Sequence, residues 1–365
     1  MSAASVLSAL DGNRYEPVPV GISRDGRWWT GPDCLRSLQR GRPEEAEPAV
    51  FIPDPTAPGL YVKGTGGQLV PVPVDVWFPV LHGPYGEDGT IQALLELADQ
   101  PYVGCDVAAS AVGLDKVRMK AAFAAVGLPQ VPHVAVTAAR WRAEPQAVAA
   151  EVARAIGFPC FVKPASLGSS VGVSRVDDER GLAPAMDEAA ALSAGVLVEE
   201  AATGFREVEI GVLGNDDPLV SVPGEVRPAA GYYDYTAKYA DDRTELLVPA
   251  PVKPETARTL AHMARKAFAA IGGSGLARVD FFLSPDETVV YVNEINTMPG
   301  FTRVSMYPRM WLSSGWTYEG LVDRLVELAR ERHEERRRIA HAQATWRAPG
   351  SPGAGREENG SGAPK

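Results

Sequence analysis

The residues best suited to chemistry lie on two runs near the end of the chain. One is Ala277-Arg278-Val279-Asp280-Phe281-Phe282-Leu283; the other, beyond the turn Ser284-Pro285-Asp286-Glu287, is Val289-Val290-Tyr291-Val292-Asn293-Glu294-Ile295-Asn296-Thr297-Met298-Pro299-Gly300. Both are rich in Val, Phe and Tyr, and the Pro-containing turn joins them as an antiparallel hairpin. Side chains alternate faces along a strand, so Arg278, Asp280 and Phe282 share one face, as Glu294 and Asn296 do on the partner strand. Two carboxylates, an amide oxygen and a guanidinium can therefore converge. That set suits Mg²⁺, which prefers hard oxygen ligands, keeps several waters and is commonly shared between carboxylates and the phosphates of a nucleotide. An ordinary hairpin with a solvated polar face satisfies the same pattern. The setting argues for a site: apolar residues continue around the acidic ones, and Asn-Thr-Met-Pro-Gly stops the strand abruptly, as at the rim of a cleft.

A second candidate is Val162-Lys163-Pro164-Ala165-Ser166-Leu167-Gly168-Ser169-Ser170-Val171-Gly172-Val173. Glycines and serines between short strands give a turn whose N–H groups and hydroxyls can close over phosphate oxygens, with the Lys163 ammonium at its root. It is not a Walker A loop, because the Gly-Lys-Ser/Thr ending and the helix after it are absent. A plain Gly/Ser turn explains the run when it is taken alone. Joined to the downstream carboxylates, it becomes half of a site for ATP and Mg²⁺.

Several layers must position these groups. In residues 1 to 115 helix-like and strand-like segments alternate, at Ser2 to Leu10, Glu16 to Gly21, Ala49 to Ile52, Asp75 to Leu81, Ile91 to Ala98 and Pro101 to Val103. That alternation predicts a small doubly wound α/β domain with a mostly parallel sheet. A second unit, 116 to 200, opens on the helix Asp115 to Val126, closed by Gly127 and Pro129. It continues with a helix from Pro145 to Ile156 and strands at Cys160 to Lys163, Gly172 to Val176 and Val196 to Glu199. A third, 201 to 345, holds a strand at Glu207 to Leu213, a helix at Glu255 to Ile271, the hairpin and a final helix from Tyr318. Residues 346 to 365, dominated by Gly, Pro, Ala and Ser, are expected to be a disordered tail. The fold class is α/β, in the α+β sense for the later units.

Length and composition are those of a multidomain globular chain: 365 residues, 45% hydrophobic and 22% charged. A formal charge of -10 argues against a nucleic-acid partner, which needs a basic surface. The run Arg330 to Arg338 alternates with Glu331, Glu334 and Glu335 and reads as a solvated helix. Cys34, Cys105 and Cys160 have no metal-ligand spacing and look like small reduced hydrophobes of a cytoplasmic protein. No stretch is long and apolar enough to span a membrane, and no signal peptide is evident.

The order Lys116, Lys163 with Gly168 to Gly172, Glu199-Glu200, Lys238-Tyr239, Arg278 with Asp280, then Glu294 with Asn296, resembles the ATP-grasp superfamily. Leu81-His82-Gly83-Pro84-Tyr85-Gly86-Glu87-Asp88-Gly89-Thr90, Tyr233-Asp234-Tyr235-Thr236-Ala237-Lys238-Tyr239 and Asn296-Thr297-Met298-Pro299-Gly300-Phe301-Thr302 resemble the D-alanine:D-alanine ligase family. The resemblance covers residues 2 to about 330. It implies an ATP-grasp fold and an enzyme that phosphorylates the carboxylate of one D-alanine, whose acyl phosphate is attacked by the amine of a second, for peptidoglycan precursors. It also implies that Asp280, Glu294 and Asn296 hold two Mg²⁺ (or Mn²⁺) ions, that Lys116, Lys163 and Lys238 contact phosphates with Ser170 in the loop, and that Glu199, Glu200 and Glu207 serve the nucleotide. Phe161 and Phe282 would flank the adenine, or sit as ordinary strand aromatics in the core.

By the same resemblance Arg278 and the Gly300 N–H form an oxyanion hole, Ser305 and Met306 meet the second D-alanine, and His82 and Glu87 the first. Ser169 would pair with Tyr239 of a lid at Tyr232 to Tyr239. A homodimer in the cytoplasm is expected. Family members usually begin with a strand, a glycine-rich turn and a Glu that binds the first ammonium; this chain begins at the following helix, so a recorded start later than the natural one is expected rather than a true lack of the segment, with poor affinity for the first D-alanine or low solubility of the chain as written. A D-alanine:D-lactate or D-serine ligase and a non-catalytic ATP-grasp relative remain alternatives. Tyr239 and Met306 favour D-alanine.

Overall fold

Short connections decide the first layer of the computed structural model, which describes residues 1–57, 59–64, 66–227 and 244–346. Strands Val20–Ile22, Trp28–Thr30, Glu47–Phe51, Leu60–Lys63 and Leu69–Val72 pair in chain order as one antiparallel sheet. The expected doubly wound, mostly parallel layer is thereby corrected. A parallel crossover takes a dozen or more residues, and the connections 23–27, 52–59 and 64–68 leave room only for hairpins. Of the segments 75–81 and 101–103, read as strands, a single parallel bridge between Trp77 and Tyr102 forms. The expected helices are present as Ser2–Ala9 and Thr90–Leu97.

A four-stranded antiparallel sheet follows, ordered His133–Thr137, Gly195–Glu200, Cys160–Pro164, Ser174–Val176. Helices Pro145–Ala155 and Glu179–Leu192 cover one face and bury Val148, Val152, Met186 and Ala189 against Val162, Val196 and Val198. The opposite face carries Phe161 and Lys163, which alternate with the buried Cys160, Val162 and Pro164.

The third sheet is ordered Glu245–Leu247, Gly224–Arg227, Arg206–Gly214, Gly275–Leu283, Val290–Asn296, with Leu219–Val220 beside Arg206–Gly214. The hairpin expected from the sequence forms its last two strands. Asp280 stands opposite Glu294 and Arg278 opposite Asn296, but Phe281 pairs with Val292, so a bulge at Asn293 interrupts the register. The bulge places an extra residue directly beside Glu294 and bends the strand where its polar face begins. Helix Pro254–Ala270 packs Leu260, Met263, Ala264 and Phe268 on Val208, Ile210, Val279 and Phe281. Met119 and Phe123, from helix Lys116–Ala125, join that core.

The last helix, Tyr318–Thr345, packs Leu321, Leu325 and Leu328 against Tyr307, Trp311 and Phe301, and the first helix adds Val6 and Ala9. Its basic run is only partly the solvated face expected. The Arg332 guanidinium donates to the carbonyls of Gly104 and Tyr102 and to Ser274 Oγ, and lies 4.3 Å from the Tyr102 ring centroid. Arg336 and Arg337 reach Asp99.

Candidate active site

Polar groups from most of the described elements named in the sequence reading meet in one cleft of about 1020 Å³ between the second and third sheets. Its floor on the third sheet is set by strand alternation. Arg278 and Asp280 lie on one face of Gly275–Leu283, and the guanidinium grips the carboxylate in a fork, Nε to Oδ1 at 2.7 Å and an Nη to Oδ2 at 2.6 Å. Nε also lies 3.1 Å from Glu209 Oε2, on the neighbouring strand opposite Asp280. Burial opposes the Arg278 charge, but Asp280 and Glu209 outweigh it and raise its pKa well above the ordinary range. Glu294 and Asn296 line the cleft beside this pair; Asn296 Oδ1 also accepts the Met298 N–H at 3.0 Å.

Asp280, Glu294 and Asn296 offer hard oxygen donors and no thiolate or imidazole. A carboxylate oxygen has two lone pairs, so a hydrogen bond from Arg278 does not by itself exclude a metal ion from Asp280. Among the described residues no cluster of His, Cys, Asp and Glu forms a closed metal cage. Two carboxylates and one amide oxygen that leave the remaining positions to water and phosphate are what Mg²⁺ accepts, so the donor set fits that ion.

The second sheet supplies the opposite wall. Phe161 and Lys163 face the cleft, and Glu199, directly opposite Phe161, lies beneath them with Lys163 on Oε2. Burial opposes ionisation of Glu199, but Lys163 and Lys120 outweigh it and hold its pKa at about 2. Burial likewise opposes the Lys163 charge, and Glu199 more than restores it. In the glycine loop, Ser169 and Ser170 have φ of 54° and 58°, a left-handed conformation unusual away from glycine. Gly172, at φ 68°, completes the reversal, and a Cβ there would meet Leu192 Cδ1 at 2.5 Å. Lys116 donates to the Leu167 carbonyl at 2.6 Å and so anchors the base of the loop. Asp115 caps the helix that carries Lys116, accepting the N–H groups of Val117 and Arg118 at 3.0 Å.

The third wall is the turn 81–90 together with the segment 297–306. Glu87 is 9% exposed and accepts the Gly83 N–H; burial pushes its carboxyl up to about 7, against the pull of Gly83 and Arg278. His82 Nδ1 lies 3.0 Å from the Met298 carbonyl and must donate to it, which leaves Nε2 as acceptor toward Ser2 Oγ at 3.5 Å. Burial lowers its pKa, so the ring is neutral at pH 7. Gly300 and Ser305 approach closely: a Cβ on Gly300 would lie 3.1 Å from Ser305 Oγ, which accepts the Thr302 N–H at 3.1 Å. Met306 follows at the start of a helix and also borders the cleft.

The structure thus brings together Lys116, Lys163, Ser169, Ser170, Phe161, Glu207, Phe282, His82, Glu87, Gly300, Ser305 and Met306 with the Arg278 face. Phe161 and Phe282 are cleft residues, not core aromatics. Glu200 is not brought in: it follows Glu199 on the strand, so its side chain points to the other face and is exposed. Lys238, Tyr239 and the lid at Tyr232 to Tyr239 lie outside the described residues, as do positions 347–365 of the expected tail. The sequence reading missed Glu209 and Lys120. Both had a signal, Glu209 two residues after Glu207 on a strand and Lys120 one helical turn after Lys116.

Known proteins resemble the chain over most of its length. The family model "D-ala D-ala ligase N-terminus" matches residues 1–105 and "D-ala D-ala ligase C-terminus" residues 122–327. The D-alanine-D-alanine ligase of Heliobacterium modesticaldum is 49% identical over 339 residues, 93% of this chain and 92% of that protein. That of Geobacillus thermodenitrificans is 45% identical, covering 93% of each. Among solved structures, the D-alanine-D-alanine ligase of Coxiella burnetii superposes with a TM-score of 0.81 at 32% identity, over 94% of this chain and 92% of that one. The VanG D-Ala:D-Ser ligase of Enterococcus faecalis does so with a TM-score of 0.79 at 32% identity, over 90% and 94%.

Proposed function

The chain belongs to the D-alanine:D-alanine ligase family, and from that membership we propose how its cleft joins two D-alanines into D-alanyl-D-alanine, with ATP cleaved to ADP and phosphate. The product serves cell-wall synthesis. The observation that carries the site assignment is the face shared by Arg278 and Asp280, opposite Glu294 and Asn296, in a cleft roofed by a glycine loop.

In the first step a carboxylate oxygen of one D-alanine attacks the γ-phosphorus, the bond to the β–γ bridging oxygen breaks and ADP leaves. In the second, the neutral amine of another D-alanine attacks the acyl carbon, releases a proton and expels phosphate. Lys116, Lys163 and Lys238 balance the phosphate charge, aided by Ser170 and the loop amides. Phe161 and Phe282 flank the adenine with Glu207 at the adenosine end, and Glu199, buried beneath Phe161, serves the nucleotide through Lys163. Asp280, Glu294 and Asn296 would hold two Mg²⁺ or Mn²⁺ ions, which when bound offset charge on the transferred phosphoryl group.

Arg278 and the Gly300 N–H stabilise the oxyanion that forms on the acyl carbon, a task for a permanently charged fork on a rigid strand. Asp280 and Glu209 fix that fork before any substrate arrives. His82 and Glu87 border the first D-alanine and Ser305 and Met306 the second, and by the resemblance Ser169 would pair with Tyr239. We divide the chain into 1–115, 116–200 and 201–345 with a tail at 346–365, a division supported by one sheet within each of the first three segments. By resemblance the enzyme acts in the cytoplasm as a homodimer. Among the described residues no helix is long and apolar enough to cross a membrane.

The purified chain should be given ATP, Mg²⁺ and D-alanine, alone or with D-lactate or D-serine, and its products identified by mass. D-alanyl-D-alanine as the main product supports the reading. A D-lactate or D-serine product preferred at equal concentration would reassign the second subsite, and no ADP release with any acceptor would favour a non-catalytic relative.

A further inference from the structure

Lys120 is a buried cation that the ligase chemistry above does not employ. Its side chain is 2% exposed, and its ammonium lies 2.6 Å from Oε1 of Glu199, which is equally buried. Lys163 takes the other oxygen, Oε2. Two ammonium groups therefore divide one buried carboxylate, and the cluster carries a net positive charge. The lysines are not equivalent. Lys163 borders the cleft at 14% exposure, on the same strand face as Phe161. Lys120 stands behind Glu199, on the helix whose first turn carries Lys116 and whose start Asp115 fixes.

A lysine that is the sole partner of a buried carboxylate is held there, because its departure strands an uncompensated charge. Lys163 is spared this restraint, since Lys120 remains on Oε1 whichever way Lys163 turns. We infer that Lys120 is a positioning residue for nucleotide binding: it keeps Glu199 neutralised, so that the Lys163 ammonium can turn from Glu199 to the phosphates of the nucleotide. Lys120 does not line the cleft and acts only through Glu199. The inference rests on the reading of Lys163 as a phosphate contact.

That dependence allows a test with two ligands that share the nucleoside and differ in the phosphates. ADP and adenosine binding to the full chain is measured by calorimetry with Mg²⁺ and without D-alanine. In K120M, Glu199 is left to Lys163 alone; ADP affinity should fall roughly tenfold or more, while adenosine affinity stays within about threefold. In K120M/E199Q the Glu199 carboxylate no longer holds Lys163, and the ADP-to-adenosine affinity ratio should lie within about threefold of that in E199Q alone. The double variant removes the carboxylate with its counter-ion, so it reports even if K120M does not fold. Equal losses for ADP and adenosine in K120M, or no loss, would overturn the inference by reducing Lys120 to a packing residue. A tenfold drop in the ratio from E199Q to K120M/E199Q would overturn it by giving Lys120 a direct action on phosphate. Wild-type protein that binds ADP no more tightly than adenosine would instead overturn the phosphate role of Lys163 itself.

Discussion

Replacing Glu87 by Gln removes one titration from the cleft while keeping the side chain's volume and its acceptor for the Gly83 N–H. Burial pushes the Glu87 carboxyl from 4.5 up to about 7 in the folded chain. Between those values the folded chain holds a proton that the unfolded chain has already released. The unfolded state thus binds fewer protons, and stability falls as pH rises through that window. The contribution is fully present below pH 4.5 and gone above about pH 7. Its size, at 1.36 kcal/mol for each tenfold change, is about 3 kcal/mol. The assay is urea unfolding of wild type and E87Q at intervals from pH 4 to pH 8 without divalent metal, taking the difference so that all other titrations cancel. Wild type should lose about 3 kcal/mol relative to E87Q across the range, most of it between pH 4.5 and 7. A difference constant to within about 0.5 kcal/mol would refute the argument, by showing that Glu87 is ionised when buried.

Arg278→Lys keeps the charge but loses the fork on Asp280; kcat should fall roughly 10²- to 10³-fold with ADP affinity little changed, and a loss under tenfold would remove Arg278 from the oxyanion role. Asp280→Asn should raise the Mg²⁺ concentration for half-maximal turnover at least about tenfold while adenosine binding holds, and an unshifted Mg²⁺ titration would remove Asp280 from the metal set. Gly172→Ala places a Cβ 2.5 Å from Leu192 Cδ1 at a φ of 68°. That variant should lose about 1–3 kcal/mol of stability and show a raised ATP KM, and unchanged values for both would contradict the tight reversal described for the loop.

What could be read from the sequence was carried by local signals. The hairpin from Gly275 to Asn296 and the loop between Lys163 and Val173 announce themselves through runs of Val, Phe and Tyr and through clustered Gly and Ser. The bulge at Asn293 does not, because one inserted residue between Val292 and Glu294 leaves the alternation ambiguous. In the first layer, Trp28–Thr30, Leu60–Lys63 and Leu69–Val72 are three or four residues long, too short to show a period, whereas the longer apolar segment 75–81 reads as a strand although it yields one bridge. Lys120 is the plainest miss. A lysine on a helix reads as solvated, and the partner that buries it, Glu199, arrives on a strand far along the chain. Glu200 stands on the opposite strand face from Glu199, a split that two adjacent acidic residues do not announce in the sequence.

The Arg278 and Glu294 face is proposed to serve an acyl-phosphate reaction. That role is tested most directly by incubating the chain with ATP, Mg²⁺ and D-alanine labelled with ¹⁸O in both carboxylate oxygens, then weighing the inorganic phosphate. Attack of a carboxylate oxygen on the γ-phosphorus followed by expulsion of phosphate carries one labelled oxygen into each phosphate released, matched by one D-alanyl-D-alanine. Unlabelled phosphate, or phosphate formed without dipeptide, would contradict it.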